Sequence, residues 1–399
     1  MFLQTFPPMG VYETLFRFAD ATHQYLGDAK TNPWAQGYPL TRQIPGGPTI
    51  PDSVRFTSDD LRYPNAQGHP ELRAALARYY QTFYDANITE ENVAIFAGGR
   101  PGIVAILSLL LPDIAVTIEE TEYTPYYDTL KLIRKEPVIV PSCTANEFRP
   151  NLEDHRTALN SSARALLVKS NPCNPTGVTW TGDDLAALVR LCSEEGKGAM
   201  FDEAYEFFHA PEPVSVLSHI RDIDQTDIFV IGAATKGLQV PGARVGWVVA
   251  SKEHCEIFRN LSSIAMGGVS RPSQLFVTEL LEIERARHAR QSVATFFESQ
   301  RNRYGAALDD LGVKLYSGDG GFYHWGRLPG DLTAEQFNEA LFEESAAILP
   351  GRLCDMRRAA GGEHENYFRF SFGPVDPNAF ENDVAILRRT LERCLGTVT

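Results

Sequence analysis

The sequence predicts an α/β protein whose larger part is a mainly parallel seven-stranded sheet between helices, with a smaller α+β domain beside it. Between about residues 90 and 250, short apolar runs alternate with helical patterns, and the runs are NVAIF, AVTI, EPVIV, RALLVKS, KGAMFD, DIFVIG and VGWVVA. Most are separated by enough residues for a crossover helix, which is typical of parallel strands buried on both faces. These two observations place the large domain in the middle of the chain.

The chain after the last apolar run is predicted to be helical and then mixed. Helical periodicity continues for some forty residues from RPSQLF to DDLG, which predicts one long helix or two between the domains. The remaining segments, among them VKLYSGDGGFYHWG and NYFRFSFG, read as strands and helices that end in a terminal helix. Residues 291–399 are therefore predicted to form the smaller domain.

The first fifty residues cannot form a core of their own. They contain one predicted helix, VYETLFRFADATHQYL, and then a loop rich in proline and glycine. We expect residues 1–50 to pack on the small domain or on a partner subunit, and residues 51–290 to form the large domain.

Composition and charge exclude several classes of function. The chain has 399 residues, 43% of them hydrophobic, and a formal net charge of -14, which argues against a nucleic-acid-binding surface. Its six cysteines lack the spacing of a zinc site or a disulfide framework, and no metal is expected. No segment reaches the roughly 18 apolar residues of a membrane span, and the N-terminus has no signal-peptide pattern. We expect a cytoplasmic protein without a membrane partner.

The segment SNPCNPTG, from Ser170 to Gly177, ends one of the predicted strands with two Asn-Pro pairs. Each proline removes a backbone donor and pushes the preceding asparagine into an extended conformation, so the chain has to stop and turn here. A helix is predicted next, with Thr181 as its N-cap. A plain crossover turn would account for one such pair. The second pair favours the alternative of a ligand site, because ligands of open α/β sheets bind at the carboxyl ends of the strands.

Two further segments place ionisable groups at strand ends. In KGAMFDEAYEFF, Asp202 follows an apolar run and Tyr205 comes three residues later, and the aspartate is either the cap of a helix or a buried carboxylate in need of a cation. In GAATKGLQVPGARVGW, Lys236 and Arg244 lie in a glycine-rich loop between two strands. A lysine there is either solvated or, if it is buried with a lowered pKa, suited to Schiff-base chemistry.

The order of Asn174, Asp202, Lys236 and Arg244, within the patterns SNPxNPTG, DEAY and KxxxxPGxRxGW, resembles the class I and II aminotransferases. These are fold-type I enzymes that depend on pyridoxal 5'-phosphate. The resemblance covers nearly the whole chain. It implies that the large domain binds this cofactor and that the protein is a homodimer with a shared active site.

The resemblance assigns a catalytic set of Lys236, Asp202 and Tyr205. Lys236 is expected to form a Schiff base with the cofactor and to move the proton at the substrate Cα, since an amine can do both. Asp202 is expected to keep the ring nitrogen protonated, and Asn174 and Tyr205 to hydrogen-bond the ring oxygen. The resemblance also implies a cis peptide bond between Asn174 and Pro175.

The cofactor phosphate requires several donors. Arg244 is the expected arginine, and the amides of Gly99 and Arg100 follow a glycine turn at a predicted helix N-terminus in IFAGGRPG. Ala233 stands where the family usually has a phosphate-binding serine, so Thr235 or Arg100 is expected to compensate. Tyr63 is expected to reach the phosphate of the neighbouring subunit.

The remaining site residues concern the ring face and the substrate. Tyr123 takes the position of the aromatic residue that stacks on the cofactor ring. Arg369 matches the arginine that grips the α-carboxylate of the substrate, for which a guanidinium fork is well suited, with Gly37 and Asn174 beside it.

The sequence leaves the substrate open. The segment before Tyr123 is unusually acidic, with Glu119, Glu120 and Glu122, which indicates either a solvated loop or a site for a cationic substrate. We expect an aminotransferase that moves the amino group of an L-amino acid to a 2-oxo acid. A lyase, cyclase or oxidase of the same fold is the alternative, because all of these reactions begin with removal of the proton at Cα by the same lysine. A binding protein that merely retains the fold is disfavoured by the complete catalytic set.

Overall fold

The computed structural model describes residue 2 and residues 5–396. The α-helices are α1 (Gly10–Thr22), α2 (Pro70–Tyr84), α3 (Gly99–Leu109), α4 (Thr124–Leu132), α5 (Leu152–Leu159), α6 (Gly182–Cys192), α7 (Lys252–Ala265), α8 (Arg271–Leu280), α9 (Ile283–Asp310), α10 (Ala334–Phe342) and α11 (Phe380–Leu395). The strands are β1 (Val93–Phe96), β2 (Ala115–Glu119), β3 (Val138–Val140), β4 (Ala165–Ser170), β5 (Lys197–Asp202), β6 (Asp227–Ala233), β7 (Gly246–Val249), β8 (Lys314–Leu315), β9 (Tyr323–Arg327), β10 (Leu349–Pro350) and β11 (Tyr367–Ser371).

The first seven strands form one sheet in the order β1-β7-β6-β5-β4-β2-β3. Strands β3, β2, β4, β5 and β6 are parallel, and β7 runs antiparallel to both β6 and β1. Strands β4 and β6 are buried along almost their whole length, as expected for strands covered on both faces. The predicted mainly parallel, seven-stranded sheet is confirmed.

The register of the central strands positions the functional site. Ser170, the last residue of β4, pairs with Asp202, the last residue of β5, and Asp202 in turn pairs with Ile231 of β6. Because these strands are parallel, the segments that follow them all leave the sheet at its carboxyl edge. The loop SNPCNPTG, the segment after Asp202 and the loop that carries Lys236 therefore meet there.

Helix α6 shows how a short segment is fixed by one apolar face. Leu185, Leu188 and Cys192 are buried, and each buried leucine contributes roughly 1.5–3 kcal/mol. Thr181 is the N-cap, as predicted, but its side chain makes no capping hydrogen bond. The helix is therefore held by its packing rather than by a side-chain cap.

The second sheet has the order β10-β11-β9-β8 and is antiparallel throughout. The predicted helical stretch before it consists of two helices, α8 and α9, because the Glu282 carboxylate accepts the amides of Glu284 and Arg285 and starts α9 anew. Arg369 lies on β11 opposite Trp325 of β9.

The N-terminal helix α1 contacts α4, α10 and β10. Arg17 forms ion pairs with Glu335 and Glu339 of α10, and Arg352 bonds both Glu13 and Glu335. The division of the chain at residues 50 and 290 stays a prediction, and its first and last segments extend outside the described residues. None of the helices in the described ranges is long and apolar enough to cross a membrane.

The predicted cis bond is wrong in its position. The cis peptide bonds in the described chain are Asn171-Pro172 and Ala210-Pro211, and Asn174-Pro175 is not among them. It is also Asn171 that ties the loop together, since its amide donates to the Trp180 carbonyl at 3.1 Å and accepts from the Trp180 N–H at 2.8 Å.

Candidate active site

A cavity of about 490 Å³ opens at the carboxyl edge of the large sheet. It collects most of the residues that the sequence singled out, although they come from separate loops. The predicted residues on its wall are Gly37, Gly99, Arg100, Tyr123, Asn174, Asp202, Tyr205, Thr235, Lys236 and Arg244. Arg369 and Tyr63 do not line it.

Lys236 lies on the cavity wall three residues after β6. Its Nζ donates a hydrogen bond to the Gly37 carbonyl. Burial lowers the pKa of Lys236 to about 7, and the positive charges of Arg100 and Arg369 act in the same direction. A large fraction of Lys236 is therefore a neutral amine near pH 7, which is the form that attacks a carbonyl carbon.

Asp202 is buried at the end of β5. One carboxylate oxygen accepts the Ala204 N–H at 3.0 Å, and the other accepts the Tyr126 hydroxyl at 3.0 Å. Burial raises the pKa of Asp202, and these two donors oppose the rise. No cationic side chain is hydrogen-bonded to Asp202 within the described residues, so the carboxylate is available to a cation bound in the cavity.

The N-terminus of α3 forms an anion cradle with Arg244. The cap residue Gly98 has φ +103°, and a Cβ there would lie only 2.3 Å from the Arg244 Nη2. Within the described part of the chain, Arg244 donates to two backbone carbonyls, those of Pro241 at 3.0 Å and Ala97 at 3.1 Å. Helix amides, an arginine and the Thr235 hydroxyl on one wall form a donor set that fits a phosphate.

Arg100 links this cradle to Tyr123. Its Nε donates to the Tyr123 hydroxyl at 2.9 Å, and the charge interaction with Tyr123 raises the pKa of Arg100. The Arg100 side chain is thus directed at the aromatic wall of the cavity, while its backbone amide belongs to the first turn of α3.

Arg369 is fully buried behind the cavity wall. Its Nη1 donates to the Asn174 Oδ1 at 2.9 Å and its Nη2 to the Ala35 carbonyl at 2.7 Å, while the guanidinium carbon lies 4.2 Å from the Tyr323 ring centroid. Arg369 therefore meets the cavity through Asn174. A carboxylate that binds Arg369 has to share or replace the Asn174 bond.

Tyr205 is bonded to a residue that sequence reasoning did not identify. Its hydroxyl shares a hydrogen bond with the Tyr323 hydroxyl from β9, and burial raises the pKa of Tyr205 well above its usual value. Gly37 lies against the Tyr323 hydroxyl, since a Cβ on Gly37 would be 2.5 Å from that oxygen. Tyr323 therefore connects the second sheet to the cavity wall at Tyr205.

Tyr63 is 95% exposed and lies away from the cavity of its own chain. Its expected contact is with a second copy of the chain, and that expectation stays a prediction.

Both interpretations of the acidic segment are wrong for Glu119 and Glu122. Both carboxylates are fully buried, and neither lines the cavity. Glu119 pairs with the buried Lys169 and lies 3.1 Å from the His155 Nε2. Glu120 accepts from the Arg357 Nε at 2.9 Å and is mostly buried.

Further wall residues were missed, and most of them lie outside the motifs. Helix α1 and the loop after it form part of the cavity wall, and Ser170 lies next to Asn174. The missed residues on the wall include Val11, Tyr12, Leu15, Gln36, Tyr38, Ile103 and Ser170. Only Ser170 carried a signal, because it opens the SNPCNPTG motif.

Comparison with known proteins gives one consistent family. The sequence pattern described as aminotransferase class I and II matches residues 48–384. The aspartate aminotransferase of Thermotoga maritima is 27% identical over 308 residues, which cover 76% of this chain and 79% of the relative. The L-glutamine--4-(methylsulfanyl)-2-oxobutanoate aminotransferase of Bacillus subtilis is 26% identical, with 73% of this chain and 74% of the relative covered.

Solved structures share the fold over nearly the whole chain. The aspartate aminotransferase from Thermus thermophilus with maleate has a TM-score of 0.77 at 21% identity and covers 96% of this chain and 97% of its own. Substrate-bound BacF from Bacillus subtilis has a TM-score of 0.83 at 20% identity and covers 97% of this chain and 95% of its own. At these identities the likeness establishes the fold.

Proposed function

The chain belongs to the class I and II aminotransferases, as its motifs predicted, and we propose the parts that its residues play in moving an amino group from an L-amino acid to a 2-oxo acid. The observation that carries the proposal is the cavity itself. An amine with a lowered pKa, a buried carboxylate that no cationic side chain of the described residues hydrogen-bonds, and a phosphate-type donor set all line it.

These groups match the three ends of pyridoxal 5'-phosphate. Lys236 would hold the aldehyde carbon, Asp202 the protonated ring nitrogen, and Arg244 with Thr235 and the amides of Gly99 and Arg100 the phosphate. Tyr123 would cover the ring face, and Asn174 and Tyr205 would bond the ring oxygen. When bound, the cofactor supplies an electron sink that makes the substrate Cα proton acidic.

The protein groups then position the substrate and move its proton. Arg369, with the Gly37 backbone and the Asn174 amide, would hold the α-carboxylate so that the Cα–H faces the Lys236 Nζ. The amine would take the proton from Cα and deliver it to C4′ of the cofactor rather than back to Cα, and taking it requires the neutral form that its environment favours. Tyr63 of a second copy of the chain would complete the phosphate site, so the active form is proposed to be a homodimer. The cytoplasm is its proposed location, in line with the expectation from the sequence.

A donor screen tests this proposal. The protein, reconstituted with the cofactor, is mixed with single amino acids while the visible absorbance of the bound cofactor is followed, starting with aspartate and glutamine, which the names of the relatives suggest. An aminotransferase loses this absorbance with the right donor and regains it on addition of a 2-oxo acid, without releasing ammonia. Ammonia release or oxygen consumption in place of this cycle would instead identify a lyase or an oxidase.

A further inference from the structure

A buried carboxylate holds two parts of the cavity wall together. Glu122 is fully buried, and three donors point at it. Its Oε1 accepts the Ser170 N–H at 2.9 Å, and its Oε2 accepts the Ser170 hydroxyl at 2.7 Å and the Tyr123 N–H at 2.9 Å. One side chain thus connects the start of α4 with the end of β4.

The connection continues to Asn174. The Ser170 hydroxyl donates to Glu122 and accepts the Asn174 N–H at 3.0 Å, and Asn174 accepts from Arg369 at 2.9 Å. Tyr123, Ser170 and Asn174 all line the cavity, whereas Glu122 does not. The carboxylate therefore acts on the cavity only through these neighbours.

Charged neighbours inside the protein act on Glu122 in opposite directions. Burial raises the pKa of Glu122 and Glu119 adds to the rise, whereas Lys169 and the hydrogen bonds from Ser170 and Tyr123 lower it. Because three donors point at its two oxygens, this geometry holds the ionised carboxylate. The fully buried Lys169 donates to Glu119, and the Cys173 thiol lies in the same cluster with its pKa raised by burial. Because three donors converge on Glu122, a substitution that keeps its shape but not its two acceptors leaves a buried N–H unpaired.

We propose that Glu122 is a positioning residue for the cofactor: it fixes Tyr123 and Asn174 at the spacing that clasps the cofactor ring. This rests on the proposed function, because it assumes that the cavity binds pyridoxal 5'-phosphate. Glu122 itself touches neither cofactor nor substrate. Its effect passes through the Tyr123 backbone on one side and through Ser170 on the other.

Glu122→Gln tests the proposal directly. A glutamine side chain has one acceptor oxygen and can take two orientations. In one, the oxygen accepts from Tyr123 and the Ser170 hydroxyl, and the amide NH₂ faces the Ser170 N–H, which is left unpaired. In the other, the Tyr123 N–H is left unpaired. We expect the affinity of the apoprotein for pyridoxal 5'-phosphate, measured by absorbance titration, to fall about tenfold to a hundredfold. The pH at which the visible absorbance of the bound cofactor changes should also shift, which a merely structural loss would not produce.

The matched control is Glu120→Gln, since this neighbouring carboxylate bonds Arg357 and does not line the cavity. Its cofactor affinity should stay within about twofold of the wild type. An unchanged affinity and absorbance profile in a folded Glu122→Gln variant would overturn the proposal. If the wild-type apoprotein bound no cofactor, the proposed function would fail instead.

Ser170→Ala keeps the proposal testable if the glutamine variant does not fold. It removes the link to Asn174 but leaves both amides on Glu122, so the affinity should fall about threefold to tenfold. Combining Ser170→Ala with Glu122→Asp, a conservative shortening, should cost less than the product of the two single effects, because both break the same link. Independent effects would show that Glu122 does not act through Ser170 and would overturn the proposal.

Discussion

Two lysines withdrawn from bulk water near the same edge of the sheet have opposite surroundings. Lys169, on β4, is fully buried and donates to the Glu119 carboxylate. Burial acts to lower the pKa of Lys169, but Glu119, Cys173 and Glu122 outweigh it and the pKa is raised. Lys236 has Arg100, Arg369 and Arg244 around it instead, and its pKa is lowered to about 7.

The carboxylate nearest in effect to Lys236 does not balance the arginines around it. Asp202 accepts hydrogen bonds from Ala204 and Tyr126. It raises the pKa of Lys236, but burial, Arg100 and Arg369 each have a larger effect in the opposite direction. A lysine side chain is therefore a permanently charged internal cation at position 169, whereas at position 236 it is a titratable amine. The sign of the neighbouring charges decides which role a buried lysine takes.

Removing the titratable lysine should have the largest effect. We expect Lys236→Ala to lower kcat by at least about 10⁴-fold, because the covalent attachment and the proton transfer at Cα are lost together. Turnover with the best donor of the screen measures this. Borohydride reduction followed by mass spectrometry should attach the cofactor to the Lys236 peptide of the wild type.

The exposed Lys252 provides the control, since its ion pairs with Glu91 and Asp224 are long and lie at the surface. Lys252→Ala should retain normal turnover. If Lys236→Ala kept more than a tenth of the wild-type kcat, the lowered pKa that distinguishes Lys236 from Lys169 would not serve catalysis.

Removing the charged lysine should instead affect stability. Lys169→Met leaves the buried Glu119 carboxylate with His155 as its remaining partner, and breaking a buried pair in this way costs about 3–5 kcal/mol. We expect the free energy of unfolding, measured in urea, to fall by that amount. Adding Glu119→Gln should recover much of the loss, because position 119 then carries no unpaired charge, and a single variant as stable as the wild type would contradict the pairing.

The sequence predicted the architecture because buried parallel strands appear as continuous apolar runs. Each of the seven runs became a strand of the sheet. The site was predictable in outline for a related reason: Asn174, Asp202 and Lys236 each follow a strand, and the carboxyl ends of parallel strands meet. Their roles toward the cofactor remain predictions.

The pairing of the buried charges could not be predicted, because it depends on contacts between strands. Ile118 of β2 pairs with Val168 of β4, which brings Glu119 level with Lys169. This register is invisible in a segment that reads EETEY, so the acidic segment was interpreted as a loop or a substrate site. Tyr323 was missed for the same reason, since it reaches Tyr205 from the second sheet.

The smallest effect expected concerns the pH dependence of stability in the apoprotein. Between the lowered folded pKa of about 7 and the usual value of 10.5 for Lys236, the unfolded chain binds the proton more tightly than the folded one. The lysine therefore destabilises the apoprotein increasingly as the pH falls from 10.5 to 7, and its effect levels off below 7. Lys236→Met, which cannot titrate, lacks this dependence.

We expect Lys236→Met to exceed the wild-type apoprotein in free energy of unfolding by about 1–3 kcal/mol at pH 7, since water in the cavity screens the ammonium. Urea unfolding of both proteins between pH 7 and pH 10 measures the difference, which should shrink as the pH rises. A Lys236 that sat in surroundings like those of Lys169 would give the opposite sign, with the wild type the more stable protein at pH 7. The direction of this difference therefore separates an amine held neutral by its neighbours from one held charged.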